Sequence, residues 1–500
     1  MNYMYIESAK KVIKYIPVAF LGFVTVWLRF SNLWYSDYQG DEIKALFIPN
    51  PGQSVVDFLL TQRKGPIQFL VTFLVKLVDP TYANEFLTRL PFALAGALAI
   101  YFFYKFVSRQ FGKKIALYSS LFLSVNGIIV AFSRIAQYQS FVILFCVLAL
   151  YLFSLALNCD GWRYKGIYLG AVAWALALLA HYDAVLIFPY ALYLVIKWYK
   201  KHPQNALKHL ALASVVPGLL LSAFYIPFVL SINPATKEYW ADRLSGGSDK
   251  LSSSIVTFKT YNPKLIFYIY SLLFIASLVK IKTAWAVFLW TLVPWVFMEV
   301  VTNVPGTHIY TYLMPLSVLL AFGIAFIDEI VEKVLGQRIG VYANAAGLVV
   351  LFVFMAFLAH AVFVDHTQEY PWEPEHFLIW ELPKPNVIFH LSLFGFPYYR
   401  HWEEIGDFIN EGAPAEYYST NERDSISRYY VALKKDTNLA GYFIYIAYPQ
   451  SFTHSVTNPK AAYWMQKASP VKSFYNNNKE VARVYYMPTG DLATIKSLVH

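Results

Sequence analysis

Long apolar runs alternate along this chain with short polar breaks that are rich in lysine and arginine. The runs cover residues 13–33, 88–108, 115–132, 139–158, 165–181, 183–199, 208–230, 263–280, 284–302, 308–327 and 341–364. A helix needs about 20 largely apolar residues to cross a bilayer core, so the pattern predicts about 11 transmembrane helices. Segment 66–79, PIQFLVTFLVKLVD, is shorter and carries Lys76, which predicts a helix lying along the interface. With that segment left out of the bilayer, SRQFGKK (108–114), GWRYK (161–165), KWYKKHPQNALK (197–208), KIK (280–282) and EKVLGQR (332–338) share one side with the lysine-rich N terminus. This is the positive-inside pattern, and it predicts a cytoplasmic N terminus in the plasma membrane. Lys10, Lys11 and Lys14 precede the first run and no small-residue cleavage site follows it, so the first helix is expected to be retained.

The pattern changes after residue 364. In YYRHWEEIGDFIN (398–410), Trp402, Ile405, Phe408 and Ile409 fall at helical spacing, and Gly412 follows as a stop. Next come strand-like AEYYS, helix-like DSISRYYVALKK, strand-like GYFIYIAY, a helix around AAYWMQK, and strands near VKSFY and EVARVYYM. The division is therefore a transmembrane domain over 1–364 and a C-terminal α/β domain over 365–500. Parity puts that domain, the 34–87 loop, the FSRIAQYQS turn and the 231–262 loop on the extracytoplasmic face.

Composition agrees with the pattern: 57% of residues are hydrophobic, 14% are charged and the mean hydropathy is +0.43, as in an integral membrane protein. The net charge of +10 sits in clusters between spans, where it sets orientation rather than marking a nucleic-acid partner. Cys146 and Cys159 are the only cysteines, which excludes a disulfide framework or a cysteine zinc site. An aromatic share of 18% suits interfacial anchoring and cavities in contact with membrane lipids. There is no G-x-S-x-G, P-loop, H-E-x-x-H or G-x-G-x-x-G pattern, so nothing supports a hydrolase triad, nucleotide-driven chemistry or a zincin.

Chemistry is then to be sought among the ionisable residues at the outer helix ends. SDYQGDEIKAL (36–46) puts Asp37, Asp41 and Glu42 against the bilayer, where carboxylates are costly without a role or a partner. One of the pair Asp41 and Glu42 can act as general base on an acceptor hydroxyl or amine while the other tunes it, orients the acceptor or holds a metal. The alternative is a solvated acidic loop with Asp41 as a helix N-cap. Arg63 and Lys64, just before the interfacial segment, suit a lipid phosphate beside its tail, or simple snorkelling to headgroups. Arg89 and Arg134 stand at helix ends, as phosphate ligands or as interfacial anchors. His181, Tyr182 and Asp183 break a long apolar stretch. Glu299, His308, Tyr310 and Tyr312 gather near a later outer end, where they are expected to rim a cavity.

The order of these features resembles the GT-C class of membrane glycosyltransferases, specifically relatives of dolichyl-phosphate-mannose protein mannosyltransferases and of the lipid A aminoarabinose transferase. The resemblance rests on SDYQGDE, RKGPIQF, TRLPFALAGALAIYFFYKFVSRQFGKK, SRIAQYQS and TYLMP in that order, covers roughly 10–330, and is strongest over 36–140. It implies transfer of a sugar from a polyprenyl-phosphate donor to a lipid, glycan or protein acceptor on the extracytoplasmic face, usually with inversion. It further implies Asp41 as the essential loop acid with Glu42 its companion, Lys64 near the donor phosphate, and Arg89 in the Arg-Leu-Pro step. Three departures stand out. Gly65 intrudes between Lys64 and Pro66, Gln137 or Gln139 replaces a frequent aspartate, and Thr311 replaces an arginine, leaving His308 as a substitute. Some relatives bind a divalent metal ion in this loop and others do not, so a metal stays open.

Two other classes compete. A transporter or lipid flippase accommodates the same spans but is expected to show midplane charges and matched broken helices, which are not evident. A non-catalytic receptor or subunit makes the acidic pair dispensable.

Overall fold

The computed structural model describes residues 2–245, 253–385, 393–412, 415–436, 441–450 and 459–487. The middle of the 231–262 loop and the tail beyond residue 487 lie outside the described residues. Every apolar run falls on helix, because a lipid-facing backbone must satisfy its own hydrogen bonds. Among the described residues, six helices are long and apolar enough to cross a membrane: Glu85–Val125, Gln139–Asn158, Ala206–Ser231, Leu265–Val301, Gly306–Leu335 and Gln337–Phe363. Two of them each absorb two expected spans. Glu85–Val125 has 41 residues, about 60 Å at 1.5 Å per residue and twice a bilayer core. It breaks at Gly112, whose φ of 86° is open to glycine without strain.

Shorter apolar helices occupy Tyr15–Phe30, Ile67–Lys76 and Lys165–Ala180. The expected span 183–199 differs most: Tyr182–Ile187 is a 3₁₀ turn, and only Phe188–Lys201 is α-helical. Pro189 suits the first turn of a helix but would break its interior, so the α-helix starts late. The 34–87 loop carries the single turn Gly40–Ile43 and two short helices, Val55–Leu60 and Ile67–Lys76.

Beyond the last long helix the chain makes a small hairpin, β1 (Glu375–Phe377) and β2 (Trp380–Leu382), and then a five-stranded sheet. Its strands are β3 (Tyr417–Thr420), β4 (Lys434–Lys435), β5 (Gly441–Ile446), β6 (Lys472–Asn476) and β7 (Lys479–Met487), in the order β4-β3-β5-β7-β6. β3 is parallel to β4 and β5, and β7 runs antiparallel to β5 and β6. The amphipathic helix Trp402–Asn410 buries Trp402, Ile405 and Ile409, the face its sequence spacing marks. The expected helix over DSISRYYVALKK ends at Tyr430, because Lys434 and Lys435 join the sheet edge instead.

The sheet domain is sewn to the 34–87 loop by polar contacts. Asp37 N–H donates to the Tyr398 carbonyl at 2.8 Å, Tyr398 N–H to Ser36 Oγ at 2.9 Å, and Tyr38 N–H to the Tyr430 hydroxyl oxygen at 2.9 Å. Gln39 exchanges bonds with Phe396 O and Gly395 N, and Gly40 N–H donates to Gln450 Oε1 at 2.9 Å.

Candidate active site

The acidic pair lies in a single helical turn, Gly40–Ile43, preceded by Gln39 as its N-cap. Asp41 is therefore not the cap that one reading of the sequence allowed. Neighbouring residues on one turn point about 100° apart, and the two carboxylates diverge accordingly. Glu42 turns inward and is fully buried; Arg89 Nε and Nη2 reach its two oxygens at 2.8 and 3.0 Å, and Ala136 N–H adds a bond at 3.0 Å. Asp41 turns outward into a cavity of about 590 Å³ whose wall also carries Lys44, Arg63, Lys64, Gln137, His181 and His308.

Three cations approach the Asp41 carboxylate. Lys44 Nζ lies 3.6 Å from Oδ1 and Arg423 Nη2 lies 3.5 Å from it, while Lys64 faces it across the cavity. Burial alone would raise the Asp41 pKa, but Lys64, Lys44 and Arg423 together hold it below the usual carboxylate value. Burial lowers the Lys64 ammonium, with Asp41 opposing that shift. Lys64 Nζ donates to Gln137 Oε1 at 3.1 Å and lies 5.2 Å from the Tyr138 ring centroid. Gly65 explains its own intrusion, since a Cβ there would overlap the Leu179 carbonyl oxygen at the end of helix Lys165–Ala180. The missing side chain lets the Lys64 loop lie against that helix end.

A second cavity, of about 420 Å³, adjoins the first and is walled by Val185, Leu186, Phe224, Phe228 and Met298. Arg63, Lys64, Tyr182, Trp240 and His308 line both. A polar chamber with a carboxylate thus meets an apolar one at a basic rim.

Asp183 sits behind that rim. Its Oδ1 is 3.1 Å from His181 Nδ1, its Oδ2 is 2.5 Å from His308 Nδ1, and the Tyr310 hydroxyl donates to Oδ2 at 2.8 Å. His181 stacks on Tyr138 with centroids 4.1 Å apart. One donor atom from each of His181, Asp183 and His308 lies within 4.8 Å of the others. Two imidazoles and a carboxylate form a donor set suited to a transition ion such as zinc rather than to magnesium or calcium. The three side chains fit such an ion if His308 and Asp183, now hydrogen-bonded, draw slightly apart.

The structure does not bring every expected residue to this chamber. Asp37 accepts from Arg400 N–H at 2.5 Å inside the interface with the sheet domain, and burial pushes its carboxyl up to about 8. Arg89 is committed to Glu42, and Arg134 donates to the Leu28 and Asn32 carbonyls, so both are buried anchors away from the chamber wall. Glu299 accepts from Ser253 and Ser254, and Tyr312 donates to Ser254 Oγ at 3.1 Å, forming a separate cluster. The sequence reading missed Trp240, Phe394 and Arg423. For Arg423 a signal existed: it follows β3 and caps helix Asp424–Tyr430, and the carboxyl end of a parallel strand is where α/β sheets present ligand contacts.

A family model described as dolichyl-phosphate-mannose-protein mannosyltransferase matches residues 66–223. ArnT from Cupriavidus metallidurans bound to undecaprenyl phosphate superposes with a TM-score of 0.53 at 13% identity, covering 95% of this chain and 98% of that one. Its apo form gives 0.51 at 12%, with 96% and 98% covered. Oligosaccharyltransferase AglB from Archaeoglobus fulgidus, in complex with an inhibitory peptide and a dolichol-phosphate, gives 0.50 at 10% identity, with 87% and 70% covered. No curated protein matches by sequence. The fold is that of the GT-C membrane glycosyltransferases, as the order of motifs implied.

Proposed function

We propose that the protein transfers a sugar from a polyprenyl-phosphate donor to an acceptor hydroxyl or amine on the extracytoplasmic face, with the N terminus in the cytoplasm. The observation that carries this reading is the junction of the two cavities: a polar chamber holding Asp41 meets an apolar chamber at Arg63, Lys64 and His308. An amphiphile with an anionic neck matches that junction, its tail among Phe224, Phe228 and Met298, its phosphate at the basic rim and its sugar toward Asp41.

In this reading Asp41 accepts the proton of the acceptor as the acceptor heteroatom bonds to the anomeric carbon. The bond from that carbon to the phosphate oxygen breaks on the opposite face, giving inversion. The lipid phosphate leaves with one more negative charge, and Lys64 and Arg63 stabilise the charge as it grows. Positioned cations matter most here because the chamber is partly closed to water. Asp183 orients His308 toward the rim, and Gln137 steadies the Lys64 ammonium. A divalent ion held by His181, Asp183 and His308 would supply further positive charge beside the leaving group. The fold of ArnT and AglB supports the donor class; the sugar and the acceptor are set by walls these relatives need not share.

The test is to incubate purified protein with radiolabelled polyprenyl-phosphate sugars and a panel of lipid, glycan and peptide acceptors. Label moving to an acceptor with release of polyprenyl phosphate supports the reading. Donor binding and translocation without transfer would favour a flippase.

A further inference from the structure

The sheet domain supplies one of the charges that surround Asp41. Arg423, with its side chain 16% exposed, sets Nη2 3.5 Å from Asp41 Oδ1. Its own position is fixed from three sides. Nη1 donates to Gln450 Oε1 at 3.4 Å, the guanidinium lies 5.9 Å from the Phe394 centroid, and its backbone N–H donates to Glu422 Oε1 at 2.7 Å. Gln450 is fully buried and its Oε1 also takes the Gly40 N–H at 2.9 Å, so one amide ties Arg423 to the residue before Asp41. A Cβ on Gly40 would come within 2.5 Å of Ser425 Oγ and 3.1 Å of Arg423 Cζ, so a side chain there would push the Ser425 hydroxyl aside and crowd the guanidinium. These contacts converge on the chamber wall.

We infer that Arg423 is a positioning residue for the reaction: the C-terminal domain reaches into the chamber through it, to orient the Asp41 carboxylate and keep it ionised. This rests on the role of Asp41 proposed above. The charged groups facing Asp41 are Lys44 on its own turn, Lys64 from the loop before helix Ile67–Lys76, and Arg423, with the Tyr261 phenol as a titratable neighbour. The backbone of Arg423 is held in turn by the buried Glu422, whose Oε1 accepts its N–H, so the guanidinium starts from a fixed point in the chain.

Two readouts on the full-length protein separate this inference from the proposed function. The first needs no turnover: a water-soluble carbodiimide activates protonated carboxyl groups, and peptide mass spectrometry follows Asp41 labelling from pH 4 to 7. Arg423→Gln is expected to raise the Asp41 labelling rate near pH 5 by at least about threefold, because a carboxylate that loses an adjacent cation protonates more readily. Arg423→Lys is expected to restore most of the protection, and Arg428→Gln, on the exposed face of the same helix, to change nothing. The second readout is transfer, where Arg423→Gln should move the acid limb of kcat to higher pH with the donor KM unchanged. If Arg423→Gln lowers the folded yield, Arg423→Met, which keeps the packing of the side-chain stem without the charge, takes its place, with the same rise in labelling expected. Identical Asp41 labelling in wild type, Arg423→Gln and Arg423→Lys would overturn the inference. A wild type that transfers nothing would overturn the proposed function while leaving the labelling result to decide on Arg423.

Discussion

Glu42 and Arg89 form a buried, two-pronged ion pair, with Nε and Nη2 at 2.8 and 3.0 Å from the two carboxylate oxygens, one residue from an Asp41 that faces the open chamber. Adjacent acids thus face apart: one locks the 34–87 loop to helix Glu85–Val125, and the other lines the chamber proposed to take substrate. Removing one partner of a buried pair leaves the other charge uncompensated, at a cost of about 3–5 kcal/mol. Glu42→Gln and Arg89→Met are therefore expected to lower the thermal midpoint in detergent, whereas Asp41→Asn leaves it near wild type. Equal midpoints for all three would contradict this division.

Lys64 is expected to bear on donor affinity. A charge-assisted hydrogen bond contributes about 1.5–3 kcal/mol, so Lys64→Ala should raise the donor KM roughly 10–100-fold. Gly65→Ala should do comparable damage without touching a charge, because its methyl collides with the Leu179 carbonyl and displaces the lysine. Steady-state kinetics on both variants, with a thermal melt to confirm folding, decide the matter.

Asp37 predicts a pH effect on stability rather than on chemistry. Its folded pKa of about 8 lies above the unfolded value of about 3.9, so the folded state keeps a proton that the unfolded chain gives up. The stability it contributes is full below about pH 4 and declines as pH rises toward about 8. Asp37→Asn imitates the protonated side chain. It should retain transfer activity and flatten the decline in thermal midpoint over that range; a variant that loses transfer would place Asp37 in the chemistry after all.

His181, Asp183 and His308 give a metal prediction. Zinc at micromolar concentration is expected to raise the thermal midpoint of the wild type and to have no effect on His181→Ala or His308→Ala. Metal analysis of protein purified without chelator should return about one zinc per chain for the wild type. Equal midpoints with and without zinc would leave Asp183 as an acceptor for His308 and Tyr310 alone.

Much of this architecture was legible because bilayers impose long apolar runs, and each run from 13–33 to 341–364 is helical. The sheet domain was legible for the same kind of reason, since alternation in GYFIYIAY and EVARVYYM marks half-buried strands, here β5 and β7. What escaped is what depends on distant packing. Hydropathy cannot tell a helix bent at Gly112 from two helices, nor an arginine at a helix end that meets substrate from one, like Arg89 or Arg134, that spends its donors on protein. The acidic pair was visible as a pair, but the turn that parts Asp41 from Glu42 depends on Arg89, 47 residues away. Arg423 lies 382 residues from Asp41, and its place after β3 marks a ligand contact without telling that this loop reaches the chamber formed by the helices.

In the proposed displacement from a lipid phosphate, everything turns on Asp41 acting as the base. The most direct measurement is sugar transfer from a radiolabelled polyprenyl-phosphate donor by wild type and Asp41→Asn, with donor binding measured on the same preparations. The account predicts that Asp41→Asn binds donor within a few-fold of wild type and loses transfer by about 10²–10⁴-fold, the usual worth of a general base. Full transfer by Asp41→Asn would contradict it.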